Sequence, residues 1–168
     1  MKTYILSILV VDDPGVLLKL CGLFVRRGFN IDTIAVGSTE KKGFSRIIIT
    51  LNCDEKTIIQ LKKQLTKSID VVGVSDLTEN TIVKELCLIK LNIKGEKERD
   101  EIIDNVNLFK AKIIDITRSN IIIEITENPN KIKNFIDILS DKKIIKITRS
   151  GTIAIKNIGN NNNDNNIK

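Results

Sequence analysis

Four consecutive residues, Asp12-Asp13-Pro14-Gly15, connect an apolar stretch near the N-terminus to a second apolar stretch with helical spacing. A helix that begins here presents unpaired backbone amides, and such amides bind anions. The turn can therefore hold the carboxylate of a small zwitterion while Asp12 receives its ammonium group. Helix capping explains the same residues, because Asp is a preferred cap and Pro14 suits the first helical position. For these four residues alone, capping is the commoner explanation.

Several classes of chemistry are disfavoured by residues that the chain lacks. It contains no histidine, which removes the most frequent general base, the Ser–His and Cys–His pairs and the commonest metal ligand. Its three cysteines, Cys21, Cys53 and Cys87, are widely spaced within apolar patterns and form no metal-ligand spacing. This predicts buried free thiols in a reducing compartment. No catalytic residue, metal ligand or cofactor-binding residue is assigned.

The predicted elements of the first half follow the order βαββαβ, which is the order of ferredoxin-like folds. Apolar residues recur with helical spacing, as at Leu17, Leu20 and Phe24. The polar residues 40–43, ending in Gly43, predict a hairpin between the second and third strands. Predicted strands are 4–11, 31–37, 44–52 and 71–77, and predicted helices are 14–27 and 55–67.

The second half repeats this order after a polar stretch at 78–81 and adds one strand, which makes it a variant of the first half. Asn128-Pro129 has the residue types of a helix cap and first helical position. The prediction is an α+β chain with two ferredoxin-like βαββαβ-type domains, 1–78 and 82–157. The Asn-rich residues 158–168 bury nothing and are predicted to be disordered. Predicted strands are 85–93, 112–117, 121–126, 144–149 and 152–156, and helices follow Gly95 and Asn128.

The composition of the 168-residue chain limits the classes of partner that it is expected to bind. No apolar run approaches the roughly 20 residues of a membrane span, and no signal-peptide core is present. These features predict a soluble protein that stays where it is made and has no membrane partner. The net charge is +6 and ferredoxin-like sheets also bind RNA, but aromatics are 4% of residues and only Tyr4 and Phe44 fall on candidate strands. No specific nucleic-acid partner is predicted.

A resemblance extends over nearly everything before the tail. Between residues 5 and 40 stand S-I-L-V, P-G-V-L, G-L-F-x-R-R-G-F-N-I-D and T-I-A-V-G-S-T-E, and S-R-I-I-I begins at Ser45. Further on come I-I-D-I-T at 113–117 and Arg149-Ser150-Gly151. The P-G-V-L alone indicates only an ACT-type amino-acid-binding domain. The whole series resembles the regulatory (small) subunit of acetohydroxyacid synthase, or acetolactate synthase, which makes the first common intermediate of branched-chain amino acids.

The resemblance implies a protein that is not itself an enzyme. It implies an N-terminal ACT domain, a C-terminal ferredoxin-like domain and a homodimer whose paired ACT domains bind valine or a related amino acid at their interface. The partner is the large catalytic subunit, which would carry the thiamine diphosphate, Mg and FAD. Binding of the small subunit would activate the large subunit and confer feedback inhibition.

The effector site carries over onto Asp12, Gly15 and Asn30, with neighbouring backbone from Asp13, Pro14, Val16 and Ile31. The Asn30 carboxamide offers both a donor and an acceptor to a zwitterion, although Asn also suits a turn that follows Gly28. The family often has Asn where this chain has Asp12, and a carboxylate there attracts an ammonium group but repels a ligand carboxylate. Leu17, Leu20 and Ile34 are candidates for an apolar pocket that holds a branched side chain of the ligand. Packing in the core is the commoner role for most such residues. One methylene group in an apolar pocket changes the binding free energy by only about 1–3 kcal/mol, so the sequence does not indicate which branched-chain amino acid binds most tightly.

One alternative keeps the ACT domain and changes its target. The chain would then be an amino-acid sensor acting on a different enzyme or on a transcriptional regulator, although no helix-turn-helix pattern supports a DNA-binding function. The expected compartment is the bacterial cytoplasm, or a plastid if the protein is encoded by that organelle. The abundance of Ile, Lys and Asn fits an AT-rich genome of either kind.

Overall fold

The computed structural model describes residues 2–26 and 28–158. They divide into an N-terminal unit, up to Ile82 and again from Thr152, and a C-terminal unit, Val83–Gly151. None of the helices in these described residues is long and apolar enough to cross a membrane. The prediction of a disordered tail falls almost entirely on 159–168, outside the described residues.

The N-terminal unit is a four-stranded antiparallel sheet in the order β2-β3-β1-β4. Alternating apolar residues give β1 one buried face, where Leu6 lies opposite Ile49 and Ile8 opposite Ile47. Edge strands are therefore β2 and β4. The elements are β1 (Lys2–Val11), α1 (Val16–Arg26), β2 (Thr33–Ser38), β3 (Phe44–Cys53), α2 (Glu55–Leu65) and β4 (Val71–Asp76).

Both helices of this unit bury one stripe in the same apolar core. In α1 the buried residues are Val16, Leu20 and Phe24, spaced one helical turn apart. Helix α2 contributes a similar stripe and begins at the N-cap Asp54, whose side chain accepts a hydrogen bond from the backbone N–H of Thr57 at 2.8 Å. Burying each large apolar side chain contributes about 1.5–3 kcal/mol, so the shared core fixes both helices on one face of the sheet.

The C-terminal unit repeats the same topology, with strand order β6-β7-β5-β8. The predicted cap is confirmed: the Asn128 side chain accepts from the Asn130 N–H, and Pro129 is the first residue of α4. Phe135 lies in the core of this unit, and its ring centroid is 4.9 Å from that of Phe109, which packs against the core. The elements are β5 (Thr81–Asn92), α3 (Glu96–Leu108), β6 (Lys112–Ile116), β7 (Asn120–Glu127), α4 (Pro129–Ile138) and β8 (Lys143–Arg149).

The last strand, β9 (Ile153–Lys156), belongs to the N-terminal unit. The N–H of Thr152 donates to Thr33 Oγ1 at 3.4 Å, and that of Asn157 donates to the Asn80 carbonyl at 3.0 Å. The compact C-terminal unit therefore ends at Gly151, whereas the sequence grouped this strand with 82–157. The predicted α+β class with two ferredoxin-like units is confirmed.

Candidate functional site

The turn between β1 and α1 is built around Gly15. Its φ of +88° is outside the helical region and suits glycine. Helix α1 therefore begins at Val16. The prediction that Pro14 is the first helical residue is wrong. The Gly15 carbonyl accepts the first helical bond from Lys19 N at 3.0 Å, which makes Gly15 the N-cap. The aspartates therefore do not occupy the cap position.

Asp12 is held by strand β3. Its backbone N–H donates to the Gly43 carbonyl at 2.9 Å, and its Oδ1 accepts from Ser45 Oγ at 2.9 Å. Gly43 has the positive φ that the hairpin turn predicted. These bonds fix the carboxylate beside the end of the sheet and leave it exposed to solvent.

The turn is open on its outer side. A Cβ added to Gly15 would meet no heavy atom within 4 Å, and all four residues from Asp12 to Gly15 are exposed. Helices leave their first-turn amides without internal acceptors, and the Val16 N–H here makes only a long 3.3 Å bond to the Asp13 carbonyl. The turn can therefore accommodate a carboxylate near the helix amides and an ammonium group near Asp12.

Asn30 and Ile31 lie at the opposite end of α1. The 11 residues of this helix span about 16 Å at about 1.5 Å per residue. The helix closes with bonds from Gly28 N to the Val25 carbonyl and from Phe29 N to the Phe24 carbonyl, a Schellman arrangement. Asn30 follows as an exposed residue. One chain alone thus brings residues 12–16 together but does not bring them to Asn30.

The predicted apolar residues divide between core and surface. Leu20 is buried in the core, whereas Leu17 and Ile34 are partly exposed. Ile34 and Val36 face the helix side of the sheet, because they pair with the core residues Ile49 and Ile47. Further exposed apolar side chains of this region are Leu18 and Val25 of α1. The edge strand β2 thus carries exposed apolar side chains on the helix side of the sheet.

Ser45, the residue that orients Asp12, is not among the residues predicted from the sequence. Ser45 is a buried polar residue on the same face of β3 as Ile47 and Ile49. A serine at an inward position of an otherwise apolar strand was the available signal, because a buried hydroxyl requires a hydrogen-bond partner. Its partner, 33 residues earlier in the chain, could not be identified without the sheet register.

Two of the three cysteines offer no reactive site, and Cys21 is half-buried rather than buried as predicted. All three are free, and Cys53 and Cys87 are buried. Burial raises the pKa of both thiols, so their nucleophilic thiolate form is disfavoured at neutral pH. Within the described residues, no group of three His, Cys, Asp or Glu side chains is placed to hold a metal ion.

Two family models match the chain and together cover both halves. The model described as "AHAS small subunit-like ACT domain" matches residues 6–73, and "Small subunit of acetolactate synthase" matches residues 84–158. A probable acetolactate synthase small subunit from Archaeoglobus fulgidus is 41% identical over 150 residues, which is 89% of this chain and 94% of the relative. The chain belongs to the acetolactate synthase small-subunit family.

Other members of the acetolactate synthase small-subunit family agree in length and fold. The acetolactate synthase small subunit of Mycolicibacterium smegmatis is 40% identical over 154 residues, covering 91% of this chain and 90% of the relative. The crystal structure of the small subunit from Thermotoga maritima superposes with a TM-score of 0.86 at 40% identity, covering 94% of this chain and 98% of that one. The N-terminal unit is thus an ACT domain, and it contains every predicted effector-site residue.

Proposed function

We propose that this chain binds the large catalytic subunit of acetolactate synthase, raises its activity and makes it sensitive to feedback inhibition by valine or another branched-chain amino acid. The observation that carries this proposal is the match of small-subunit family models across both units. The thiamine diphosphate, Mg and FAD would belong to the large subunit. The complex would form where that subunit is found, in the bacterial cytoplasm or a plastid.

The effector site in this proposal is shared between two protomers. The separation of Gly15 from Asn30 by the length of α1 supports this, because one chain cannot place both against one small ligand. Strand β2 is an edge strand that carries the exposed apolar residues Ile34 and Val36, and such a strand is suited to pairing with a second copy. A twofold axis would make that pairing antiparallel, with the start of each β2 beside the end of the other.

The sheet register indicates which residues would meet in such a dimer. Ser38, at the end of β2, pairs with Ser45, which donates to Asp12. Asn30 precedes the start of β2 by three residues. Antiparallel pairing of two β2 strands would therefore bring the partner's Asn30 toward the Asp12 turn. The ligand carboxylate would contact the α1 amides, its ammonium group Asp12, and its side chain Leu17 and the partner's Ile34.

A ligand that bridges two protomers can act by favouring one dimer geometry over another. It shifts the equilibrium only by its differential affinity for the two states, and couplings of this kind are typically about 1–3 kcal/mol. The large subunit would respond to the geometry that the effector favours. This mechanism needs no chemical step in the small subunit.

The test combines the purified chain with the large subunit in a pull-down and an activity titration, with and without valine, leucine or isoleucine. We expect association, stimulation, and reversal of the stimulation by at least one of the three amino acids. Absence of both association and stimulation would contradict the proposal. Amino-acid binding without association would then favour the alternative, a sensor that acts on a different enzyme or a transcriptional regulator.

A further inference from the structure

A cavity of about 290 Å³ opens on the N-terminal unit, on the sheet face opposite its helices. Arg46 and Ile48 line it and alternate along β3 with the core residues Ile47 and Ile49, so they point away from the core. The other lining residues come from the end of β2, the following turn and the first residues of β9: Ala35, Val36, Gly37, Ser38, Thr39, Glu40, Ile153 and Ala154.

One guanidinium and one carboxylate lie together in this cavity. Arg46 Nη1 donates to Ser7 Oγ at 3.1 Å, and Ser7 is only 3% exposed, so the guanidinium is anchored at one corner. Arg46 Nη2 lies 3.8 Å from Glu40 Oε1, which is longer than a hydrogen bond. The Glu40 side chain is 83% exposed, and such exposed pairs hold each other weakly. Both charges therefore remain available to a ligand.

One side of the cavity is lined by small and apolar residues. Ile48 is buried beneath it, and Ala35, Ile153 and Ala154 form its sides. Gly37 adds no side chain, and a Cβ built there would meet no atom within 4 Å. This leaves space for a short aliphatic group next to the charge pair.

We propose that this cavity binds a small aliphatic α-amino acid, with its carboxylate on Arg46, its ammonium group on Glu40 and its side chain against Ile48 and the alanines. A guanidinium recognises a carboxylate through two parallel N–H donors. The site differs from the Asp12 turn, because Ser45 and Arg46 are successive residues of β3 and point to opposite faces of the sheet. The proposal goes beyond the proposed function and does not require it.

The test follows the alanine methyl NMR signals of the full-length chain during titration with L-valine, in the wild type and in Gly15→Asp. We expect the signals of Ala35 and Ala154 to shift in both proteins, because Gly15→Asp disables only the other site. Arg46→Gln should weaken this binding at least tenfold, since hydrogen bonds to charged groups are lost. Glu40→Gln should also weaken it, and this exposed residue can be replaced without disturbing the fold.

Two controls separate the proposed contacts from general electrostatics. Lys42→Gln removes an exposed positive charge from the same hairpin outside the cavity and should leave the affinity unchanged. The 2-oxo analogue of valine lacks the ammonium group and should bind at least tenfold more weakly. The proposal is overturned if no methyl signal shifts up to the solubility limit of valine. It is also overturned if Arg46→Gln and Glu40→Gln bind valine as tightly as the wild type, or if the 2-oxo acid binds as tightly as valine.

Discussion

At the residue scale, Gly15 combines a left-handed backbone with an empty outer side, next to a carboxylate that Ser45 holds in place. Gly15→Asp would put a second carboxylate beside the helix amides, where it repels the carboxylate of an amino-acid effector. We expect the apparent affinity for valine in the feedback assay to fall at least tenfold, while stimulation of the large subunit changes little. The measurement is the valine titration of the reconstituted enzyme.

Gly15→Asn is the matched control for this substitution. Asn has nearly the size of Asp and also tolerates a positive φ, so it reproduces the backbone strain without the charge. We expect Gly15→Asn to retain more of the feedback response than Gly15→Asp. Equal loss in both variants would mean that backbone strain or bulk, rather than charge, explains the effect.

A second residue-scale feature is the ion pair of Glu85 and Arg149. Glu85 is 1% exposed and receives two hydrogen bonds from Arg149, Nε to Oε1 at 2.8 Å and Nη2 to Oε2 at 2.6 Å. This bidentate contact raises the pKa of Arg149. Arg149→Met would leave a buried carboxylate unpaired, and we expect the free energy of unfolding to fall by about 3–5 kcal/mol, measured by urea denaturation at neutral pH.

The double variant Glu85→Gln with Arg149→Met removes both charges and provides the control. We expect it to recover part of the lost stability, because a neutral amide is cheaper to bury than an unpaired carboxylate. A loss that is the same in the single and double variants would show that the charge pair is not its cause.

At the element scale, β2 is an edge strand whose apolar residue Val36 is 51% exposed. Val36→Lys places a charge on the helix side of this edge, which is a common way for edge strands to prevent pairing. We expect the variant to be monomeric by sedimentation equilibrium and to lose feedback inhibition, while its circular dichroism spectrum stays that of the folded wild type.

The matched control is Ile59→Lys on α2. Ile59 is a similarly exposed apolar residue away from the β2 edge, so this change should leave the oligomeric state and the feedback response unaltered. A dimer that persists in Val36→Lys at the same concentration would place the interface elsewhere. Loss of the dimer in both variants would indicate a general effect of surface charge.

The elements also show how far periodicity predicts this fold. Alternation in β1 and the stripe of Val16, Leu20 and Phe24 depend on local spacing, so the βαββαβ order was predicted. The placement of β9 with the N-terminal unit depends on contacts between Thr152 and Thr33, which are 119 residues apart. Local patterns carry no information on such pairs. The Ser45–Asp12 hydrogen bond could not be predicted for the same reason. The separation of Asn30 from Gly15 became evident only from the structure, which places them at opposite ends of α1.

At the scale of the whole molecule, stability at low pH depends on carboxylates that the fold pairs with lysines. Hydrogen bonds from Lys84 and then Lys131, at 2.9 and 3.0 Å, lower the pKa of Glu127 from 4.5 to about 2. A lowered pKa contributes stability that is present above pH 4.5 and is lost as the pH falls toward about 2. We expect Glu127→Gln to flatten the pH dependence of the unfolding free energy in this window.

The control for Glu127→Gln is Asp100→Asn. Asp100 is an exposed carboxylate of α3, and no salt bridge is assigned to it within the part of the chain that the structure describes. We expect Asp100→Asn to retain the acid-dependent slope of the wild type between about pH 4.5 and 2. The unfolding free energy is measured by denaturation at several pH values. If its pH dependence is the same in Glu127→Gln as in the wild type, Glu127 is not the cause of the stability lost in acid.

A site shared between protomers predicts complementation, which no single-chain site can show. In a mixed dimer of one Gly15→Asp chain and one Asn30→Ala chain, both substitutions fall in the same site and the other site is intact. Each homodimer should have lost feedback inhibition, whereas the mixed dimer, purified through two different affinity tags, should regain valine binding at one of its two sites. Calorimetry gives the stoichiometry directly. If all the residues belonged to one chain, both sites of the mixed dimer would be defective and no binding would return.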